Sequence, residues 1–129
     1  MIDAFLASGP FAVAGASTDR GKFGNRVLRC YLEHGLEVHP VNPSATEVEG
    51  LPAFPDVASL PEDVGALSIV TPPEVTEQIV EQAAHAGIRL LWMQPGAESD
   101  AALERARELG LEVIAGGPCL LVELPRRHR

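Results

Sequence analysis

Four apolar runs in this chain are each followed at once by turn-forming residues, and that arrangement constrains the fold more than any other feature. Phe11–Ala14 leads into a glycine-containing loop with Gly15, Gly21 and Gly24; residues 37–39 lead into Pro40-Val41-Asn42-Pro43. Residues 66–70 lead into Thr71-Pro72-Pro73, and residues 90–93 into Gln94-Pro95-Gly96. Runs this short, apolar on both faces and separated by amphipathic stretches, predict buried parallel strands. The expected fold class is α/β: a Rossmann-like, doubly wound, mainly parallel sheet with right-handed crossovers. In such a sheet the carboxyl ends of the strands border one crevice, where ligands bind.

The intervening segments fit that plan. A short helix is expected over residues 2–7, broken by Ser8-Gly9-Pro10. Val27, Leu28, Tyr31 and Leu32 recur at helical spacing, and Gly35 stands where a helix ends. The second strand is expected over 37–41. The connection 42–65 is long for a loop, so a short strand or helical turn is expected within it, and its apolar Val48, Leu51, Phe54, Val57 and Leu60 must pack somewhere. Pro73, with Glu74 beside it, opens a helix that ends at Gly87. Ser99 caps another over 100–109, and Gly110 terminates it. The last strand is expected over 112–115, running into Gly116-Gly117-Pro118-Cys119.

With 129 residues, 46% of them hydrophobic, the chain suits one domain over 1–129. No apolar stretch approaches the roughly 20 residues that a membrane helix needs, and the start lacks the pattern of a signal peptide. A cytoplasmic protein is expected. The net charge of -8 disfavours nucleic acid or an anionic membrane as partner, and the basic end 126–129 is too short to alter that. A phosphorylated ligand stays compatible if backbone N–H groups and a few cations, here Arg20, Lys22 and Arg26, make the site locally positive. Cys30 and Cys119 lack metal or disulfide spacing, and the four histidines are scattered, so no metal is expected.

The first glycine loop is not a Walker A loop. Five residues separate Gly15 from Gly21-Lys22, where four are needed, and Phe23 follows the lysine. It also departs from the dinucleotide fingerprint, because Ser17 takes the second glycine position and Val41-Asn42-Pro43 replaces the acidic residue that holds a ribose. Glycines at these places either admit a diphosphate or merely make a tight strand-to-helix turn.

Taken together, Val13-Ala14-Gly15-Ala16-Ser17, Gly24-Asn25-Arg26, His39-Pro40-Val41-Asn42-Pro43, Val48-Glu49-Gly50, Thr71-Pro72-Pro73-Glu74, Leu91-Trp92-Met93-Gln94-Pro95-Gly96 and the 110–119 end resemble a known family. It is the family of stand-alone CoA-binding domains, related to the N-terminal CoA-binding domain of succinyl-CoA synthetase alpha subunits. The resemblance runs over nearly the whole chain. It implies a Rossmann-like fold holding coenzyme A across the carboxyl edge of the sheet. By position, Gly15, Ala16, Ser17 and Lys22, with the Gly24-Asn25 turn, would meet phosphates. Val41, Asn42 and Pro43 would frame the adenosine end, Thr71, Pro72 and Pro73 would touch the ligand from the next loop, and Gln94 and Gly96 would border the pantetheine path. Two departures stand out: Gly117-Pro118-Cys119 where the family often has Asp-Arg-Cys, and Thr71-Pro72-Pro73 where many relatives have Phe-Arg-Arg. Both remove cations.

The expected function is non-catalytic binding of CoA or an acyl-CoA, as carrier, sensor or regulatory module, with a protein partner left open. An enzyme using NAD(P) or acyl-CoA with Cys119 or His39 as reactive group is a second reading. An interaction module with a vestigial nucleotide site is a third. Cys30 and Trp92 are expected in the core. His34 and His85 are expected near helix ends, and Glu104-Arg105-Ala106-Arg107-Glu108 on a solvated helix face.

Overall fold

The structure is a computed structural model that describes residues 1–128; the last residue of the basic end lies outside them. Five parallel strands form the central sheet: β1 (Phe11–Ala14), β2 (Val38–Val41), β5 (Ala66–Ile69), β6 (Leu90–Met93) and β7 (Glu112–Ile114), in the order β2-β1-β5-β6-β7. The long connection after β2 supplies a hairpin, β3 (Glu47–Val48) and β4 (Leu51–Pro52), and a 3-10 turn, Val57–Ser59. Between them Phe54 adds one parallel rung to the outer edge of β2. Its N–H donates to Pro40 and its carbonyl accepts from Asn42 N–H, both at 2.9 Å. Chain order reverses at β1, which lies between β2 and β5, so the crevice expected of such a sheet opens there.

The continuous apolar runs follow from two cores, one on each face. Ala12, Ala14, Leu67, Ile69, Leu91 and Met93 pack with Val80, Ala83, Ala102 and Ala106 from α3 (Pro73–His85) and α4 (Asp100–Glu108). Phe11, Val13, Ala66, Trp92 and Ile114 face the other way, against α1 (Ile2–Leu6), α2 (Phe23–Glu33) and α5 (Leu120–Arg127). Successive strand side chains point to opposite faces, so both sets must be apolar. On the second face Phe11 stacks on Tyr31 with centroids 4.9 Å apart, and Phe5 meets Trp92 edge-on at 5.3 Å.

The local signals for helix ends hold. Ser99 Oγ accepts from Ala102 N–H at 3.0 Å, and Gly35 takes a φ of +71° just beyond α2. Strand boundaries are tighter than the sequence suggested, excluding residues 37, 70 and 115. Three points differ more. The helix α5, which the sequence reading did not place, forms after Cys119 with Pro125 inside it and buries Leu120 and Leu124. His39 does not end β2; the strand continues two residues past it, and its ring turns to Glu37 at 3.2 Å and to Phe54. The charged stretch of α4 is not wholly solvated, since Ala106 within it is fully buried. Among the described residues no helix is long and apolar enough to cross a membrane.

Candidate functional site

The first loop is shaped by two glycines, each pressed against a backbone carbonyl. Gly15 leaves β1 with φ +92°, and a Cβ on it would overlap the Val70 carbonyl. A Cβ on Gly24 would overlap the carbonyl oxygen of Gly15. The first turn of α2 therefore presses directly onto the end of β1, an approach that only glycine at 24 permits, while Gly15 is required by its positive φ and by the Val70 carbonyl after β5. Gly21 meets no such demand; its N–H is held by Asp19 Oδ1 at 2.9 Å, and Asp19 N–H in turn donates to Ser17 Oγ at 3.1 Å. Ala16 is buried beneath the turn.

Asn25, wholly buried in the first turn of α2, locks this loop. Its Nδ2 donates to Ser17 O at 2.8 Å and to Glu49 Oε2 at 3.1 Å, and its Oδ1 accepts from Arg29 Nε at 2.7 Å. Asn42 does the same from the second loop: Nδ2 donates to Ala16 O at 2.9 Å, while Oδ1 accepts from the N–H groups of Ser44 and Ala45. These two amides tie the β1, β2 and hairpin segments into one unit. In the third loop Thr71 Oγ1 lies 2.7 Å from Thr76 Oγ1, so the strand-to-α3 turn is pinned by paired hydroxyls; Pro72 precedes α3 and Pro73 opens it.

At this switch point lies a cleft of about 240 Å³ with largely apolar walls. Gly15, Val41, Pro43 and Thr71, from three different strand ends, line it together. The opposite wall comes from α3, with Val75 and Ile79 one turn apart, and the floor includes Pro55 and Asp56. Sequence reasoning missed that wall. Val75 is more than a third exposed there although apolar.

Other expected residues stand around the cleft rather than in it. Lys22 is the exposed residue before α2, with no capping bond from its side chain, and Arg26 is exposed one turn on. Arg20 is held by Glu49 at 3.4 Å. Gln94 and Gly96 lie beyond the end of β6, the strand next to β5, with Gln94 N–H donating to Ile69 O at 3.0 Å. Gln94 is buried and Gly96 exposed with φ +94°.

The two cysteines differ in character. Burial, helped by Glu33 and Cys119, pushes the Cys30 thiol from its ordinary 9.0 up to about 11, which suits packing and not reactivity. Cys119 is half-buried at the residue before α5. Trp92 is fully buried, with Nε1 donating to Pro118 O at 3.0 Å, so its ring is core and not a stacking platform.

A cleft at the switch point of an open α/β sheet is where such folds bind ligands, and the sequence narrows the family. Residues 10–125 match the family described as CoA binding domain. The chain belongs to that family. As a member it is 33% identical over 90 residues to the alpha subunit of the ADP-forming acetate–CoA ligase II of Pyrococcus furiosus, covering 69% of this chain and 20% of that subunit. The chain spans a fifth or less of the length of the curated ligases it matches. Among solved structures, a conserved hypothetical protein of Pyrococcus furiosus is 42% identical with a TM-score of 0.84, covering 88% of this chain and 97% of that one. The dinucleotide-forming acetyl-coenzyme A synthetase 1 of Ca. Korarchaeum cryptofilum, solved with phosphate and ADP, is 29% identical with a TM-score of 0.76 over 89% of this chain and 27% of its own. The members of this CoA binding domain family thus occur both as small chains and within CoA ligases, and both share the Rossmann-like sheet seen here.

Proposed function

We propose that this protein binds coenzyme A, free or acylated, across the carboxyl edge of its sheet and performs no chemistry on it. The observation that carries the reading is the convergence of Gly15, Val41, Pro43 and Thr71 on one apolar cleft beside the start of α2. A planar adenine fits between the Val41–Pro43 side and the Val75–Ile79 wall. The phosphates then fall toward the turn at Gly15–Ser17, near the N-terminal end of α2, where its dipole and the exposed Lys22 and Arg26 favour negative charge. The pantetheine arm runs along the edge toward Gln94 and Gly96. Asn25 and Asn42 serve by shaping the loops, since most of their polar atoms are already bonded within the protein.

A non-catalytic role is supported by His39, and Cys30 is no alternative nucleophile. The histidine pairs with Glu37, two residues short of the strand's carboxyl end, and the raised Cys30 thiol stays protonated at neutral pH. Chemistry on the bound CoA would come from a separate catalytic unit, as carrier or regulatory function requires. The same reading puts the protein in the cytoplasm, where Cys30 and Cys119 stay reduced.

Calorimetric titration of ligand-free protein with CoA, acetyl-CoA, NAD and NADP tests this. Micromolar or tighter binding confined to the CoA species is expected. Preference for NAD or NADP would redirect the site to hydride chemistry, and absence of all binding would leave a vestigial site. Lys22→Ala should weaken CoA by about 1–3 kcal/mol through loss of a charge-assisted phosphate contact. Unchanged affinity in that variant would remove the lysine from the site.

A further inference from the structure

The β3–β4 hairpin turns through Glu49 and Gly50, at φ +50° and +79°, between the paired residues Val48 and Leu51. Glu49 is the one non-glycine residue with positive φ among the described residues, in a turn that ordinarily takes glycine, asparagine or aspartate there. Strained backbone of this kind persists where the surroundings hold it, and it gathers at functional sites. Here the side chain does the holding. Glu49 Oε2 accepts from Asn25 Nδ2 at 3.1 Å, and the same NH2 group donates to Ser17 O at 2.8 Å. A carboxylate thus sits against the loop to which the phosphates of CoA are assigned above. Arg20 Nε stands 3.4 Å from that oxygen and balances its charge.

We infer that Glu49 is an internal counter-ion of Arg20 that a phosphate of CoA displaces on binding, so that the hairpin sets how tightly the site takes its anion. This rests on the CoA reading above and adds control of affinity to it. The two partners are unequal. The side chain of Glu49 is 21% exposed and bonded to a buried amide, whereas that of Arg20 is 65% exposed and its guanidinium makes no hydrogen bond among the described residues. An exposed ion pair of that kind holds weakly. A phosphate offers the same guanidinium more charge and several acceptors, so Arg20 is the member that moves. Glu49 stays with Asn25, and its charge then opposes the ligand it faces. The pair therefore weakens CoA binding twice, by occupying the cation and by leaving an unpaired carboxylate beside the phosphate.

Calorimetry with CoA on the whole chain tests this. Glu49→Gln keeps an oxygen for Asn25 Nδ2 and removes the charge, and should tighten CoA binding about threefold or more. Glu49→Gly, suited to the positive φ, removes the same charge and should gain likewise. Glu47→Gln, at an exposed position of the same hairpin with no ion pair among the described residues, makes an equal change in net charge and should leave the affinity unchanged. In an Arg20→Ala background the gain from Glu49→Gln should shrink, because no pair remains to be broken. Circular dichroism and melting temperature check that each variant is folded. If the folded Glu49 variants bind CoA no more tightly than wild type, the inference is overturned. An equal gain from Glu47→Gln overturns it too, because net charge alone would then account for the effect. So does a gain undiminished in the Arg20→Ala background, which would be repulsion without pairing. Wild-type protein that binds no CoA would instead overturn the CoA reading itself, and this inference with it.

Discussion

The two halves of the sheet's carboxyl edge treat their buried polar groups differently. Around β1 and β2, Asn25 makes three hydrogen bonds through both ends of its amide, and Asn42 binds three backbone groups. Beyond β6, Gln94 and Glu98 each keep an atom without a partner. The first half is complete by itself: its loops are held in place by bonds within the protein, the preorganisation that the proposed CoA site calls for. The second half leaves these two atoms without a partner among the described residues.

The contrast can be broken most severely at the finished side. Gly24→Val drives a side chain into the Gly15 carbonyl and should cost about 3 kcal/mol or abolish folding. Equilibrium urea denaturation reads this, and a midpoint near wild type would mean that α2 can retreat from β1 at little cost. Asn25→Leu comes next. It strips three hydrogen bonds from a buried position and should destabilise by about 2–3 kcal/mol in the same measurement.

A third test uses pH. Burial raises both the Cys30 thiol and the Tyr31 hydroxyl, the latter in spite of its bond to Ser68. Both groups hold their protons in the fold and lose them more easily in the unfolded chain. Stability from Cys30 is thus intact below pH 9 and falls as pH rises through about 11, by about 2 kcal/mol, with Tyr31 adding to the loss. Urea midpoints at pH 8, 9.5 and 10.5 should decline, and Cys30→Ala should flatten part of that decline. A slope identical in the variant would assign it wholly elsewhere.

The smallest effect should come from the unfinished side. Gln94→Met gives up the bond to Leu120 N–H but also removes a buried donor that had no partner, so the net change should stay within about 1 kcal/mol. A loss as large as that of Asn25→Leu would erase the distinction between the halves.

Much of this organisation is written in local sequence. The strands announce themselves as apolar runs because each must face a core on both sides, and Ser99, Gly35 and Pro73 mark helix ends through bonds or torsions confined to a few residues. The family motifs fixed which loops would form the candidate site. Those loops do lie along one edge, though only Gly15, Val41, Pro43 and Thr71 share the cleft. The expected phosphate contacts at Ser17 and Lys22 and the pantetheine contacts at Gln94 and Gly96 remain proposals that binding measurements decide.

What the chain alone determined is therefore the alternation of strand and helix, the turns that end each strand and the membership of a CoA-binding family, all carried by neighbours within a few residues. Tertiary structure decided the rest: that Gly24 is required by the backbone of Gly15 and Gly15 by that of Val70, that α3 supplies the cleft's far wall, that α5 forms despite Pro125, and that Gln94 is bonded through only one end of its amide. The reason is physical. Close approach, burial and hydrogen-bond satisfaction depend on residues far apart in sequence, and those meet only once the sheet has placed its carboxyl ends side by side.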